Sequence, residues 1–160
     1  MWQVIALIIL LILSGFFSMS ETALMSLSKI RIRHMVEEGV KGAKLVEKLT
    51  EDPNKLLGAI LIGNNIVNIG ASAIATTLFV DILGSSGAGV ATGVMTGLVL
   101  IFGEITPKSI AKQKSEKTSL KVSKPISLVV KVFKPFIGIF TFISSIFIRI
   151  LGGDPKATEP

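Results

Sequence analysis

Apolar residues dominate three stretches of the chain, Trp2 to Leu27, Leu56 to Leu83 and Ala88 to about Ile105. Crossing about 30 Å of hydrocarbon takes about 20 helical residues, so each stretch predicts a membrane-spanning helix, over about 2–27, 56–83 and 88–107. The run "EDPNK" before the second stretch is a helix-start signal. "GSSG" (Gly84–Gly87) is too short for anything but a turn between antiparallel helices. The polar segment 28–55 carries seven basic and five acidic residues, and "VEEGVKGAKLVEKLTED" within it predicts one short surface helix.

The segment 125–153 is ambiguous. Its uncharged run, 135–148, is short for a full crossing, is bracketed by Lys131, Lys134 and Arg149, and carries Pro135 as a helix breaker. A helix lying in the cytoplasmic leaflet, phenylalanines down and lysines at the headgroups, is favoured over a fourth span. The expected fold is therefore an all-α membrane protein: three transmembrane helices plus juxtamembrane amphipathic helices over about 108–152 in the cytoplasmic leaflet. The expected transmembrane domain is 1–152, and 153–160, "GDPKATEP", reads as the start of a linker.

Composition agrees. Only 18% of the 160 residues are charged and mean hydropathy is +0.69. Lys and Arg are absent before Lys29 and between Lys55 and Lys108, whereas 28–55 carries seven and 108–134 carries eight. The positive-inside rule then predicts an N-terminus outside and a C-terminus in the cytoplasm. The start lacks the basic region and cleavage pattern of a secretory signal, so it reads as a retained helix. Lysines that flank apolar segments argue for a lipid bilayer and against nucleic acid, despite a net charge of +6. Cysteine is absent, which removes disulfides and thiol metal sites. The lone His34 has no partner at ligand spacing and reads as a surface residue. No nucleophile triad, phosphate loop or metalloprotease motif occurs, so an enzyme is not expected.

Polar side chains inside spans are costly and usually face a bundle interior or an aqueous cavity. On the first span Ser14 and Ser18 share a face, Glu21 continues it, and Gly15 permits close approach of a neighbouring backbone. On the second, "NNIVN" holds Asn64, Asn65 and Asn68, and Asn64 and Asn68 share a face. On the third, Pro107 lacks the N–H that would bond the carbonyl of Gly103, leaving a free backbone oxygen beside Glu104. The blander readings are serines bonding their own helix, asparagines bonding between helices, and a helix stop where Glu104 is solvated with Lys108 as counter-charge. Together the groups are hard oxygen donors, suited to Mg2+, Ca2+ or Na+ rather than zinc or copper. Gly89, Gly93 and Gly97 form a smooth ridge that serves either packing within one subunit or a dimer seam.

The motifs "LSGFFSMSETALMSLSKIR", "LLGAILIGNNIVNI" and "GEITPKSIAKQ" together resemble the transmembrane domain called DUF21, shared by prokaryotic CorC proteins and animal CNNM (cyclin M) proteins. The resemblance implies a homodimeric magnesium transporter or exporter, exchanging Mg2+ for Na+ as coupling ion, with three spans and a belt of juxtamembrane helices. It also implies a Mg2+ site at Ser14, Ser18, Asn64 or Asn68, the Gly103 carbonyl and Glu104. Family members usually continue into a cytoplasmic CBS-domain pair that binds ATP. Met19–Ser20 followed by Glu21 resembles the prokaryotic branch and leaves Glu21 either at the cytoplasmic mouth or at a Na+ site. Two other readings stay open: a non-transporting membrane sensor or scaffold, and a transporter of another divalent cation.

Overall fold

The computed structural model describes residues 1–154, which are helical almost throughout and include no strand. Helix α1 (Trp2–Ser26) is followed by two short helices, α2 (Lys29–Glu37) and α3 (Ala43–Thr50). Helix α4 (Pro53–Leu83) starts at its signal, with the Asp52 side chain accepting from the Lys55 N–H at 3.2 Å and Pro53 in the first turn. A 3₁₀ turn, Gly84–Ser86, reverses the chain into α5 (Gly87–Leu98). A π-helical segment, Val99–Ile105, joins α5 to α6 (Thr106–Gln113), and α7 (Ser115–Ile150) closes the described chain.

Three stretches are long and apolar enough to cross a membrane: α1, the hairpin from Pro53 to Gln113, and α7. The hairpin contains the second and third expected spans folded back on each other. Their outer faces stay apolar, with Ile5, Ile8, Ile12, Ile66, Ile69 and Leu100 all exposed. Surface of that kind is stable in lipid and not in water.

The structure corrects three local expectations. Segment 28–55 holds two helices rather than one, because Gly39 and Gly42 both take positive φ (74° and 89°) and divide the expected helix. The first of the two is capped by Ser28, whose hydroxyl accepts from the Arg31 N–H at 3.1 Å. Pro107 does not end the third span; the backbone widens into the π segment and continues to Gln113. Pro135 does not break α7 either, since both Pro125 and Pro135 lie inside one 36-residue helix. Both prolines are on the exposed side, so the carbonyls they leave unpaired one turn earlier face outward rather than into packed protein.

Two apolar cores hold the bundle. Phe17, Leu24, Ile32, Val46, Leu56, Ile60, Val122 and Ile126 join α1, α4 and α7 with the two short helices. Ala71 and Ala75 of α4 meet Ala91 and Met95 of α5, with Leu7, Leu10 and Leu11 of α1 against them. The buried side chains of α7 all lie in its first half, among them Ser119, Val122, Ser123, Ile126 and Val130, the i, i+3, i+4, i+7 spacing of one helical stripe.

Beyond that stripe α7 crosses α4 where Ile137 meets Gly58, its Cγ2 3.5 Å from the position of a Cβ there. On one side of the crossing Lys55 of α4 shares a cavity with Lys131 and Lys134 of α7. On the other, Leu61, Ile66 and Ile69 share one with Phe133, Phe136 and Phe140. Basic and aromatic faces of α7 thus lie on opposite sides of its contact with α4.

Candidate functional site

Between the two cores, α1, α4 and the π segment bring their polar residues together. Ser14 and Ser18 are each only 1% exposed. The Ser14 hydroxyl donates to Asn64 Oδ1 at 3.4 Å, and Asn68 Nδ2 donates to the same oxygen at 3.3 Å. The Ser18 hydroxyl donates to Glu104 Oε1 at 3.3 Å, and Lys108 Nζ holds the other carboxylate oxygen at 3.0 Å. O–H···O bonds usually measure about 2.5–3.0 Å, so both serine bonds are long and the cluster is held slackly.

Asn68 Oδ1 is buried and has no hydrogen-bond partner. An unsatisfied buried acceptor costs about 1–3 kcal/mol, so an oxygen of this kind is a preformed position for a donor or a cation. Among the described residues no three His, Cys, Asp or Glu side chains gather as metal ligands. The cluster is instead built from neutral oxygens with one carboxylate at its edge, still 27% exposed.

Glycines set the approach of the helices. Gly103 is buried, and a Cβ there would lie 2.6 Å from Ser14 Oγ. Gly15 is buried too, and a Cβ there would lie 3.0 Å from the Phe102 carbonyl oxygen and 3.2 Å from Pro107 Cγ. The π segment explains that oxygen. The Thr106 N–H bonds the Ile101 carbonyl, a five-residue step; the same step from Pro107 reaches Phe102, and proline has no N–H to offer. The sequence places the missing bond at Gly103, whereas the wide turn places it at Phe102, against Gly15.

Ser14, Ser18, Asn64, Asn68, Gly103 and Glu104 therefore converge, with Gly15 and Pro107 as the contact that positions the wide turn. Asn65 points elsewhere, into the apolar cavity beside Phe133 and Phe136. Glu21 is half-buried, close enough to Lys108 for their charges to interact but with no hydrogen bond into the cluster. Gly89, Gly93 and Gly97 lie outside it, and a Cβ at any of the three would meet nothing within 4 Å. Packing within the subunit thus leaves the ridge bare. Sequence reasoning missed Ser72, Thr76, Thr92 and Thr96, which line a cavity ending at Asn68; the four-residue steps Asn68, Ser72, Thr76 on one helix and Thr92, Thr96 on the next were the available signal.

The chain matches the family described as the cyclin M transmembrane N-terminal domain, CNNM, over residues 5–160. It is similar to a UPF0053 protein of Haemophilus influenzae, 45% identical over 148 residues, covering 92% of this chain and 35% of the relative. The UPF0053 inner membrane protein YfjD of Escherichia coli is 40% identical over 140 residues, covering 88% and 33%. A chloroplastic DUF21 domain-containing protein of Arabidopsis thaliana is 35% identical over 161 residues, covering 98% and 24%. The chain spans about a third or less of the length of these relatives. With matching motifs, apolar hairpin and family profile, this multi-pass membrane chain belongs to the CNNM (DUF21) transmembrane domain family.

Proposed function

We propose that the chain moves Mg2+ across a cell membrane through the cluster of Ser14, Ser18, Asn64, Asn68, Gly103 and Glu104, with Na+ as the coupling ion. The observation that carries this reading is convergence: oxygen donors from three separate helical segments meet between two apolar cores, and Asn68 Oδ1 stands there buried and unpartnered. Hard oxygens suit Mg2+, and few formal charges suit an ion that must leave again. The Glu104 carboxylate supplies the charge, and the Lys108 ammonium lies against it at 3.0 Å.

The arrangement in the membrane follows the basic residues. The lysine-rich segments around α2, α3, α6 and α7 face the cytoplasm, and the N-terminus and the Gly84–Ser86 turn lie outside. Helix α7 lies in the cytoplasmic leaflet, supported by its crossing of α4 with lysines on one side and phenylalanines on the other. The bare glycine ridge of α5 is the seam of a homodimer. In the full-length protein, CBS domains that bind ATP follow on the cytoplasmic side.

The test is Mg2+ flux in proteoliposomes with a Na+ gradient of either sign. Glu104→Ala is expected to abolish flux; retained flux removes the site assignment. Native protein that moves no Mg2+, yet is stabilised by it against heat, is a sensor or scaffold. Competition by Mn2+, Co2+ and Ca2+ ranks the cations.

A further inference from the structure

A groove of about 480 Å³ runs between α4 and α5, starting at Asn68 and lined on one side by Ser72 and Thr76, on the other by Thr92 and Thr96. From Asn68 to Thr76 it follows α4 for about 12 Å, at about 1.5 Å per residue, toward the Gly84–Ser86 turn. That is the end of the hairpin opposite the lysine-rich segments.

The hydroxyls are committed in a telling way. Thr76 donates to the Ser72 carbonyl at 2.8 Å, Thr92 to the Ala88 carbonyl at 2.9 Å, and Thr96 to the Thr92 carbonyl at 2.6 Å. Each threonine has spent its single hydroxyl hydrogen on its own helix. What it can still offer is lone pairs, so these side chains accept and do not donate. The three threonines thus favour cations and water over an anion.

Bonding back to the helix is also how any threonine settles in lipid, and Thr77 does so on another face, to the Ala73 carbonyl at 3.1 Å. Placement separates the two cases. Helices α4 and α5 carry five serines and threonines, Ser72, Thr76, Thr77, Thr92 and Thr96, and four of them line this one groove. A second, independent feature lies at its inner end: Asn68 Oδ1, buried and unpartnered. Ala91, Met95 and Val99 fill the intervals, which keeps any one position from binding tightly. Thr92 and Thr96 immediately precede Gly93 and Gly97, so a second copy seated on the ridge would wall the open side.

We infer that this hydroxyl-lined groove is the path by which the cation passes between the cluster and the turn end of the hairpin, with Asn68 shared by path and site. The inference rests on the transport reading for its cargo, but the aqueous character of the groove is testable by itself. The chain has no cysteine, so single Ser72→Cys, Thr92→Cys and Thr77→Cys variants in proteoliposomes report on access without background. A membrane-impermeant thiol reagent applied from the turn side is expected to label the first two and spare the third. Refusal by Ser72→Cys and Thr92→Cys, or equal labelling of Thr77→Cys, overturns the path whatever the native flux. The combined Thr76→Val, Thr92→Val and Thr96→Val variant keeps side-chain shape and removes the lone pairs. It is expected to lower Mg2+ flux at least tenfold while keeping the native Mg2+-dependent rise in melting temperature. Native flux in that variant, or loss of the Mg2+-dependent rise along with flux, also overturns the path. Native protein that moves no Mg2+ fails the transport reading alone and leaves the labelling result standing.

Discussion

Ser14 Oγ lies 2.6 Å from the point where Gly103 would carry a Cβ. Non-bonded atoms do not approach so closely, so α1 and the wide turn meet hydroxyl to backbone, with no room for a methyl group. The contact also fixes Ser14 toward Asn64. Gly103→Ala is expected to destabilise by about 1–3 kcal/mol, the usual range for overpacking, and to displace the Ser14 hydroxyl. In a Ser14→Ala background the nearest atom becomes the Cβ at 3.3 Å, so the cost of Gly103→Ala should shrink. Melting temperatures of the four proteins in a double-mutant cycle measure the coupling. Strict additivity would show that the two residues do not touch.

Glu104 is held from both sides, by the Ser18 hydroxyl on one oxygen and the Lys108 ammonium on the other. A cation drawn to that carboxylate competes with Lys108. Lys108→Gln is therefore expected to lower the Mg2+ concentration needed for half-maximal thermal stabilisation, and Glu104→Gln to raise it at least tenfold. A Lys108→Gln variant with weaker Mg2+ response would mean that the ammonium positions the carboxylate rather than competing for it.

The glycines of α5 divide sharply. A Cβ on Gly87 would clash with the Phe79 carbonyl oxygen, a backbone atom that cannot swing aside. Gly87→Ala is expected to open the α4–α5 turn and lower the melting temperature clearly, by an amount matching about 1–3 kcal/mol. Gly89→Ala, with open space at its Cβ, should change thermal stability little.

The bare ridge makes the proposed dimer testable. A Cβ at Gly93 meets nothing within 4 Å inside one subunit and the position is exposed, so the Gly93→Leu monomer should fold normally. If α5 is the seam, the variant runs as a monomer in detergent by light scattering while the native protein runs as a dimer. A Gly93→Leu protein that stays dimeric places the seam elsewhere.

Arg31 and Glu116 tie α2 to the start of α7, Arg31 Nε bonding Glu116 Oε1 and Nη2 reaching Oε2 at 3.0 Å. The guanidinium holds the Glu116 carboxyl below its ordinary value of about 4.5, chiefly through the side-chain hydrogen bond. A depressed folded value means the stabilisation is present above the unfolded pKa and fades as pH falls through the folded one. Both side chains are nearly half exposed, so screening keeps the effect small. Glu116→Gln should show a slight loss of melting temperature at neutral pH that vanishes in acid. An unchanged difference at low pH would contradict the ion pair.

Much of this was legible from residue order, because lipid imposes a simple rule. An apolar run of about 20 residues becomes a helix, since every backbone group must bond within its own segment. The runs at α1, α4 and α5, the Asp52–Pro53 start and the glycine-serine turn all follow from that rule. So does the face shared by Ser14 and Ser18, and that shared by Asn64 and Asn68, which helical periodicity alone dictates. Which donor meets which acceptor does not follow, because it depends on contacts 50 or 86 residues apart. The path taken around Pro107 was equally out of reach. A proline can end a helix, kink it or be absorbed by a wide turn, and here α1 decides, since Gly15 leaves room for the Phe102 carbonyl and the Pro107 ring. Residue order dictates the helices and the polar face each one carries. That "LIFGEITPKSIAKQ" continues as helix through a π turn, with Glu104 reaching Ser18 and Gly103 pressed on Ser14, follows from packing between helices, which sets that register.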